Sequence, residues 1–143
     1  MNRNKDYIAY RNNDTQYFVS GQCKVPRDIF ELSVIYNDLE LLDIMYLHYR
    51  HCVNLNQIID YAIELNKKRI AIYLYKRGVM FSENAVIKTA LYGNKDILEW
   101  CLDISTVMSG VNKGRFADAI FKGGLDTTNK NSKLGILIHK VLK

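Results

Sequence analysis

Three turns in this chain share one frame, and that repetition limits the fold more than any other feature. Centred on Asn37, the frame has Phe30 seven residues before, Ser33 four before, and Leu41 and Leu42 four and five after. Centred on Asn66 it has Ile59, Ala62, Ile70 and Ala71; centred on Gly93 it has Val86, Thr89, Ile97 and Leu98. The spacings are 29 and 27 residues. A partial fourth copy places Ala119 and Phe116 before Gly123, 30 residues after Gly93, but the chain then runs on as GLDTTNKNSK. Each part of the frame has a physical cause. Asn and Gly tolerate the left-handed backbone that ends a helix tightly. A small residue one helical turn earlier lets a neighbouring helix approach, and apolar residues three or four apart share a helical face.

The frame predicts an all-α fold of antiparallel helix pairs, stacked as a short array. First helices are expected near 28–36, 57–65, 84–92 and 114–122, and second helices near 38–49, 67–77, 95–104 and 131–142. Asp28 with Glu31 has capping-box spacing, Asn54 with Gln57 resembles it, and Gly78 after Lys76 and Arg77 reads as a helix end. One domain is expected over residues 1–143, with repeats at 27–54, 55–82 and 83–112 and an irregular unit or cap at 113–143. Residues 1–26 carry Tyr7, Ile8, Tyr10, Tyr17, Phe18 and Val19, which suit either an atypical cap or the remnant of a preceding unit. A single proline, Pro26, argues against an all-β chain.

The stretch TALYGNKDILEWCL resembles the ankyrin repeat. Thr89 and Ala90 take that family's small positions, Gly93 and Asn94 the turn, Asp96 the acidic position, and Ile97 and Leu98 the aliphatics. Residues 33–46 fit more loosely, and residues 62–75 replace the acidic residue with Arg69. The family's Thr-Pro-Leu-His opening is absent, and its Gly-Ala-Asp finger survives only as Gly78-Val79-Met80. Units such as YAIELNKKRIAIYLYKRGV are similar to the degenerate ankyrin arrays of large DNA viruses, including African swine fever virus multigene-family and giant-virus ankyrin proteins. The resemblance implies a non-enzymatic interaction protein acting on a host or viral protein, as a host-interaction or immune-evasion factor.

The residues themselves offer little chemistry. His48, His51 and Cys52 form the densest set of soft ligands, yet Cys23, Cys101 and His139 are the only further candidates and none has supporting spacing. The plainer reading is a polar helix end. Gly123-Gly124 lacks the lysine and hydroxyl residue of a phosphate loop, and no nucleophile elbow is present. No enzyme, cofactor or metal is expected.

Surface chemistry gives two binding readings. For a protein partner the candidates are Tyr49, Arg50, His51, Arg77, Met80 and Phe81, with Asn54, Ser82, Ser105 and Met108 beside them in the loops between units. Met80 and Phe81 also suit a staple joining one unit to the next. For nucleic acid the candidates are Lys67, Lys68, Arg69, Lys76 and Arg77, on a helix that also carries Tyr73 and Tyr75, plus C-terminal lysines from Lys122 to Lys143. The net charge of +5 is a mild excess. A homodimer through an uncapped array end is a third expectation, with Leu134 to Leu142 as the C-terminal cap. Three widely spaced cysteines, a polar N-terminus and no long apolar run suit a cytoplasmic or nuclear protein, in the host cell if viral, without a membrane.

Overall fold

A computed structural model describes residues 2–104, 107–129 and 131–143. Among these residues all regular structure is helical. The elements are α1 (Asn2–Arg11), α2 (Thr15–Val19), α3 (Pro26–Ile35), α4 (Leu39–Tyr49), α5 (Leu55–Glu64), α6 (Lys68–Lys76), α7 (Glu83–Leu91), α8 (Lys95–Ile104), α9 (Lys113–Lys122) and α10 (Lys133–Leu142). Short 3-10 turns occupy Arg50–Cys52 and Val107–Gly110. The eight helices expected from the frame are present, each within about three residues of its expected ends. No described helix is long and apolar enough to cross a membrane.

Local chemistry explains where the helices start and stop. Asp14, Asp38, Asn54, Ser82, Asn112 and Ser132 each accept a backbone N–H two or three residues ahead, as N-caps of α2, α4, α5, α7, α9 and α10. Helix α3 begins at Pro26 instead, so Asp28 lies inside its first turn and does not open a capping box. Gln57 likewise reaches outward to Arg27 and not back to Asn54. First helices end on a left-handed residue: Asn13, Asn37, Asn66, Gly93 and Gly124. After each, the next N–H returns to a carbonyl five residues earlier, as in Asp38 to Ser33 at 2.8 Å and Lys67 to Ala62 at 2.8 Å.

Two details depart from the expected frame. Asn13 is a fifth such turn, with Ala9 four before it and Tyr17 and Phe18 four and five after, so α1 and α2 reproduce the turn geometry of the later pairs. At the other end the left-handed glycine is Gly124, not Gly123. Gly123 keeps right-handed backbone at φ −76°. Its glycine is required by contact: a Cβ there would lie 1.9 Å from the Ala90 carbonyl oxygen.

Packing follows the frame. Helix α3 packs on α4, α5 on α6 and α7 on α8, while α3, α5, α7 and α9 contact one another in succession. Helix α1 lies on α2 and α3, and α10 closes against α8 and α9. Phe18, Phe30, Met45, Ile59, Ile70, Leu74, Ile97 and Phe116 are fully buried in one continuous core. The small residues Ser33, Ala62, Thr89 and Ala119 are all buried, as close helix approach requires. Polar atoms follow the apolar ones inward only with partners. The Ser33 hydroxyl donates to the Phe30 carbonyl at 2.6 Å and that of Thr89 to Ala85 at 3.0 Å.

Candidate partner-binding groove

The second helices α4 and α6 close on a shared Tyr-Leu-x-x-Arg pattern, Tyr46-Leu47-His48-Tyr49-Arg50 and Tyr73-Leu74-Tyr75-Lys76-Arg77. Each places a tyrosine one helical turn before an arginine. Each arginine then folds back on its own helix end. Arg50 Nη1 donates to the Leu47 carbonyl and Arg77 Nη1 to the Tyr73 carbonyl, both at 3.1 Å. Cations at helix C-termini are also favoured by the helix dipole.

Stacking brings the two ends together. The Arg50 and Arg77 guanidiniums each lie 5.6 Å from the centre of the Tyr46 ring, and Arg77 lies 3.5 Å from that of Tyr73. The two rings meet edge to face at 6.1 Å. The Tyr73 hydroxyl donates to Asp43, whose carboxylate is 3.9 Å from Arg77 Nη2. Burial, then the Asp43 hydrogen bond and charge, push the Tyr73 hydroxyl above its usual pKa, so it stays a neutral donor. Beside this cluster an open groove of about 340 Å³ is lined by Val53, Leu55 and Val79, by Asn54 and Asn56, and by Arg50 and Arg77. Met80 is exposed beside it, its N–H donating to Asn56 Oδ1 at 3.3 Å, and His51 is exposed next to Arg50 in the chain.

Of the six protein-partner candidates, Arg50 and Arg77 line one groove, Met80 lies beside it and His51 is exposed. Tyr49 and Phe81 do not reach the surface, and this corrects their assignment as contact residues. Tyr49 is 5% exposed; its hydroxyl donates to the Phe18 carbonyl at 2.5 Å and accepts the Cys23 N–H at 3.3 Å, pinning the loop after α2. Phe81 is 4% exposed and packs its ring against Tyr75 at 5.9 Å and Trp100 at 5.8 Å. It is the staple between units, whereas Met80 beside it is free. Ser105 lies outside the described residues. Tyr46 and Asp43 were not singled out from the sequence, and Tyr73 only as a possible base-stacking residue, although the repeated Tyr-Leu-x-x-Arg element was there to be read.

The nucleic-acid candidates are divided between the two ends of α6. Lys67, Lys68 and Arg69 open the helix, while Lys76 and Arg77 close it, about 13 Å away at 1.5 Å per residue. The nearby acidic residues Glu64 and Asp60 are engaged with other partners: Glu64 pairs with Lys88 at 3.2 Å and Asp60 accepts from Ser82 at 2.7 and 2.8 Å. Tyr75 points inward, its hydroxyl donating to the Ile104 carbonyl at 3.2 Å and its ring 5.6 Å from Trp100. Lys130 of the C-terminal lysines lies outside the described residues.

A second surface runs along the turn-side ends of the first helices. Ile35 and Tyr36, Leu65, Leu91 and Tyr92 occupy matching positions just before the left-handed turns, and Phe121 follows on α9. All are exposed, Tyr36 at 65%, Tyr92 at 59% and Phe121 at 83%. Tyr36 continues into α1 through a stacked contact with Tyr10 at 6.3 Å. Charged side chains around this row pair with one another: Arg27 with Glu31 at 3.0 Å, Lys88 with Glu64, and Lys122 with Asp118 at 3.0 Å.

Reactive groups are sparse. His48, His51 and Cys52 are all exposed, and among the described residues no group of three His, Cys, Asp or Glu side chains is arranged to hold a metal ion. Burial pushes the Cys101 thiol up to about 12, with the Asp60 charge adding to it. Burial does the same for Cys23, to about 12, with the Asp6 charge adding to it. Both thiols are therefore poor nucleophiles at neutral pH. No protein-family model matches the chain, and neither does any curated protein or solved structure.

Proposed function

We propose that this chain is a non-catalytic protein-interaction module, built as a short ankyrin-like array of helix pairs. In keeping with its resemblance to the ankyrin arrays of large DNA viruses, it acts on a host protein as a host-interaction or immune-evasion factor. The observation that carries this reading is the row Ile35, Tyr36, Leu65, Leu91, Tyr92 and Phe121. Large apolar side chains left exposed in line are what a partner covers. Tyrosine in particular is enriched where a few side chains supply most of a binding energy. Stacked repeats support the same reading, because they leave an extended face free to vary while the core holds the stack.

The nucleic-acid reading has less behind it. Its cations sit at two separate ends of α6, and one of its two tyrosines is turned into the core. A homodimer through an array end belongs to the same interaction class and needs only Tyr7 and Ile8, exposed on α1, as its contact.

The test compares wild type with the triple variant Tyr36→Ser, Tyr92→Ser, Phe121→Ser in crosslinked capture from host-cell extract. The variant is expected to melt within about 3 °C of wild type, since it changes exposed positions only. It is expected to lose the proteins that wild type captures. Equal capture by the two would remove the row from the account.

A further inference from the structure

We infer that the groove between the ends of α4 and α6 binds an acidic peptide segment, one carboxylate side chain held by Arg50 and Arg77 and a neighbouring apolar side chain seated below them. The inference rests on reading the chain as an interaction module and names the chemistry of a partner at this groove. Each guanidinium has five N–H donors. Arg50 spends one on its own helix end, and Arg77 spends one there and faces Asp43 at 3.9 Å. The remaining donors of two arginines from successive units therefore converge beside one groove. Asp43 offsets part of the charge of the pair, but a single carboxylate 3.9 Å from Arg77 against two guanidiniums leaves them with a net positive charge. Paired guanidiniums with unspent donors match a carboxylate in charge and in planar geometry.

The groove floor decides against a bare anion. Val53, Leu55 and Val79 are apolar, and about 340 Å³ holds a side chain or two besides the carboxylate. Asn54 and Asn56 offer amide groups suited to an extended peptide backbone. Nucleic acid fits less well. Guanidiniums already lie over Tyr46 and Tyr73, so neither ring offers a bare platform for a base. The run Lys67, Lys68 and Arg69 lies at the far end of α6 from the groove.

The experiment measures binding of the intact chain to a short labelled peptide with glutamates around a central leucine. Comparison probes are the same peptide with glutamine for glutamate, a phosphoserine version, inorganic phosphate and a mixed-sequence single-stranded oligonucleotide. The acidic peptide is expected to bind at least about tenfold more tightly than its glutamine counterpart. Arg50→Ala with Arg77→Ala is expected to lose about tenfold or more, and the double lysine variant a smaller part, since charge remains but the fork does not. Thermal melting checks that the variants fold. Lys67→Ala, Lys68→Ala, Arg69→Ala removes more charge from the far end of α6 and is expected to leave affinity within about twofold.

Equal binding of the acidic and glutamine peptides would overturn the inference. So would tighter binding of the oligonucleotide, or an equal loss in the far-end triple variant. A phosphoserine peptide or free phosphate that binds more tightly than the glutamate peptide would reassign the groove to phosphate. None of these outcomes touches the apolar row, so the groove can fail while the interaction reading stands, and capture can fail while the groove binds its peptide.

Discussion

Asp6 is a buried carboxylate, 1% exposed, that joins three segments. It accepts the Tyr17 hydroxyl at 2.6 Å, the Lys24 N–H at 2.9 Å and the Val25 N–H at 2.7 Å. In this way α1 supplies the acceptor for the N–H groups of Lys24 and Val25, the two residues that lead into α3. Burial alone would raise the pKa of Asp6, but the hydrogen bonds from Tyr17, Lys24, Val25 and Cys23 outweigh it and hold the carboxyl below 3.8. A carboxyl with its folded pKa depressed stabilises the fold above its unfolded pKa, and that contribution is lost as pH falls through the folded value. Asp6→Ala is therefore expected to cost about 3 kcal/mol at pH 7, with the gap to wild type narrowing below about pH 4 in urea melts. Two glycines give a second residue-level prediction. Gly124 is left-handed at φ +68° with open space around its Cβ position, whereas Gly123 is right-handed against Ala90. Gly124→Ala is expected to cost about 1 kcal/mol, from backbone strain. Gly123→Ala is expected to cost about 2 to 3 kcal/mol, from displacing α9 on α7. Thermal melts that reversed this order would show that the close approach is absent.

At the scale of elements, one unit holds the next through contacts 22 to 31 residues apart. Arg27 donates to Gln57 at 2.5 Å, Asp60 accepts both the hydroxyl and the N–H of Ser82, and Arg115 donates to Asn84 at 2.8 Å. Phe81 adds an apolar tie, seated with Tyr75 and Trp100. Phe81→Ala is expected to cost about 3 to 4 kcal/mol, while Met80→Ala next to it stays within about 0.5 kcal/mol, as denaturant melts of the two will show. This contrast also marks what the sequence makes legible. Helix positions could be read because their causes are local: an Asn or Gly that accepts positive φ, a small residue one turn earlier, an apolar pair after. The first pair escaped because Asp6 stands where the frame expects a bulky apolar residue, and α2 has only five residues. The fates of Tyr49 and Phe81 were not legible, since each depends on where a distant element, the Phe18 carbonyl or the Trp100 ring, comes to rest. The groove was half legible: Arg50 and Arg77 were in view, but Tyr46 became relevant only when stacking set both over its ring.

Across the whole molecule, the core and the surface are divided by the same repeat. The residues four and seven before Asn37, Asn66 and Gly93 face inward and tie the first helices together, while the large apolar ones one or two before them are exposed. A stack of this kind behaves as a chain of neighbours, with stability set by each unit and its contacts to the next. The outward positions are then free to serve binding, because changing them leaves the stack intact. The account requires that the row be covered by a protein partner, and site-specific photo-crosslinking tests this most directly. A crosslinking amino acid placed at Tyr92 or Tyr36 is expected to join the chain to one and the same protein, and at the buried Phe81 position to join it to none. Adducts to nucleic acid alone, or no adduct from either row position, would contradict it.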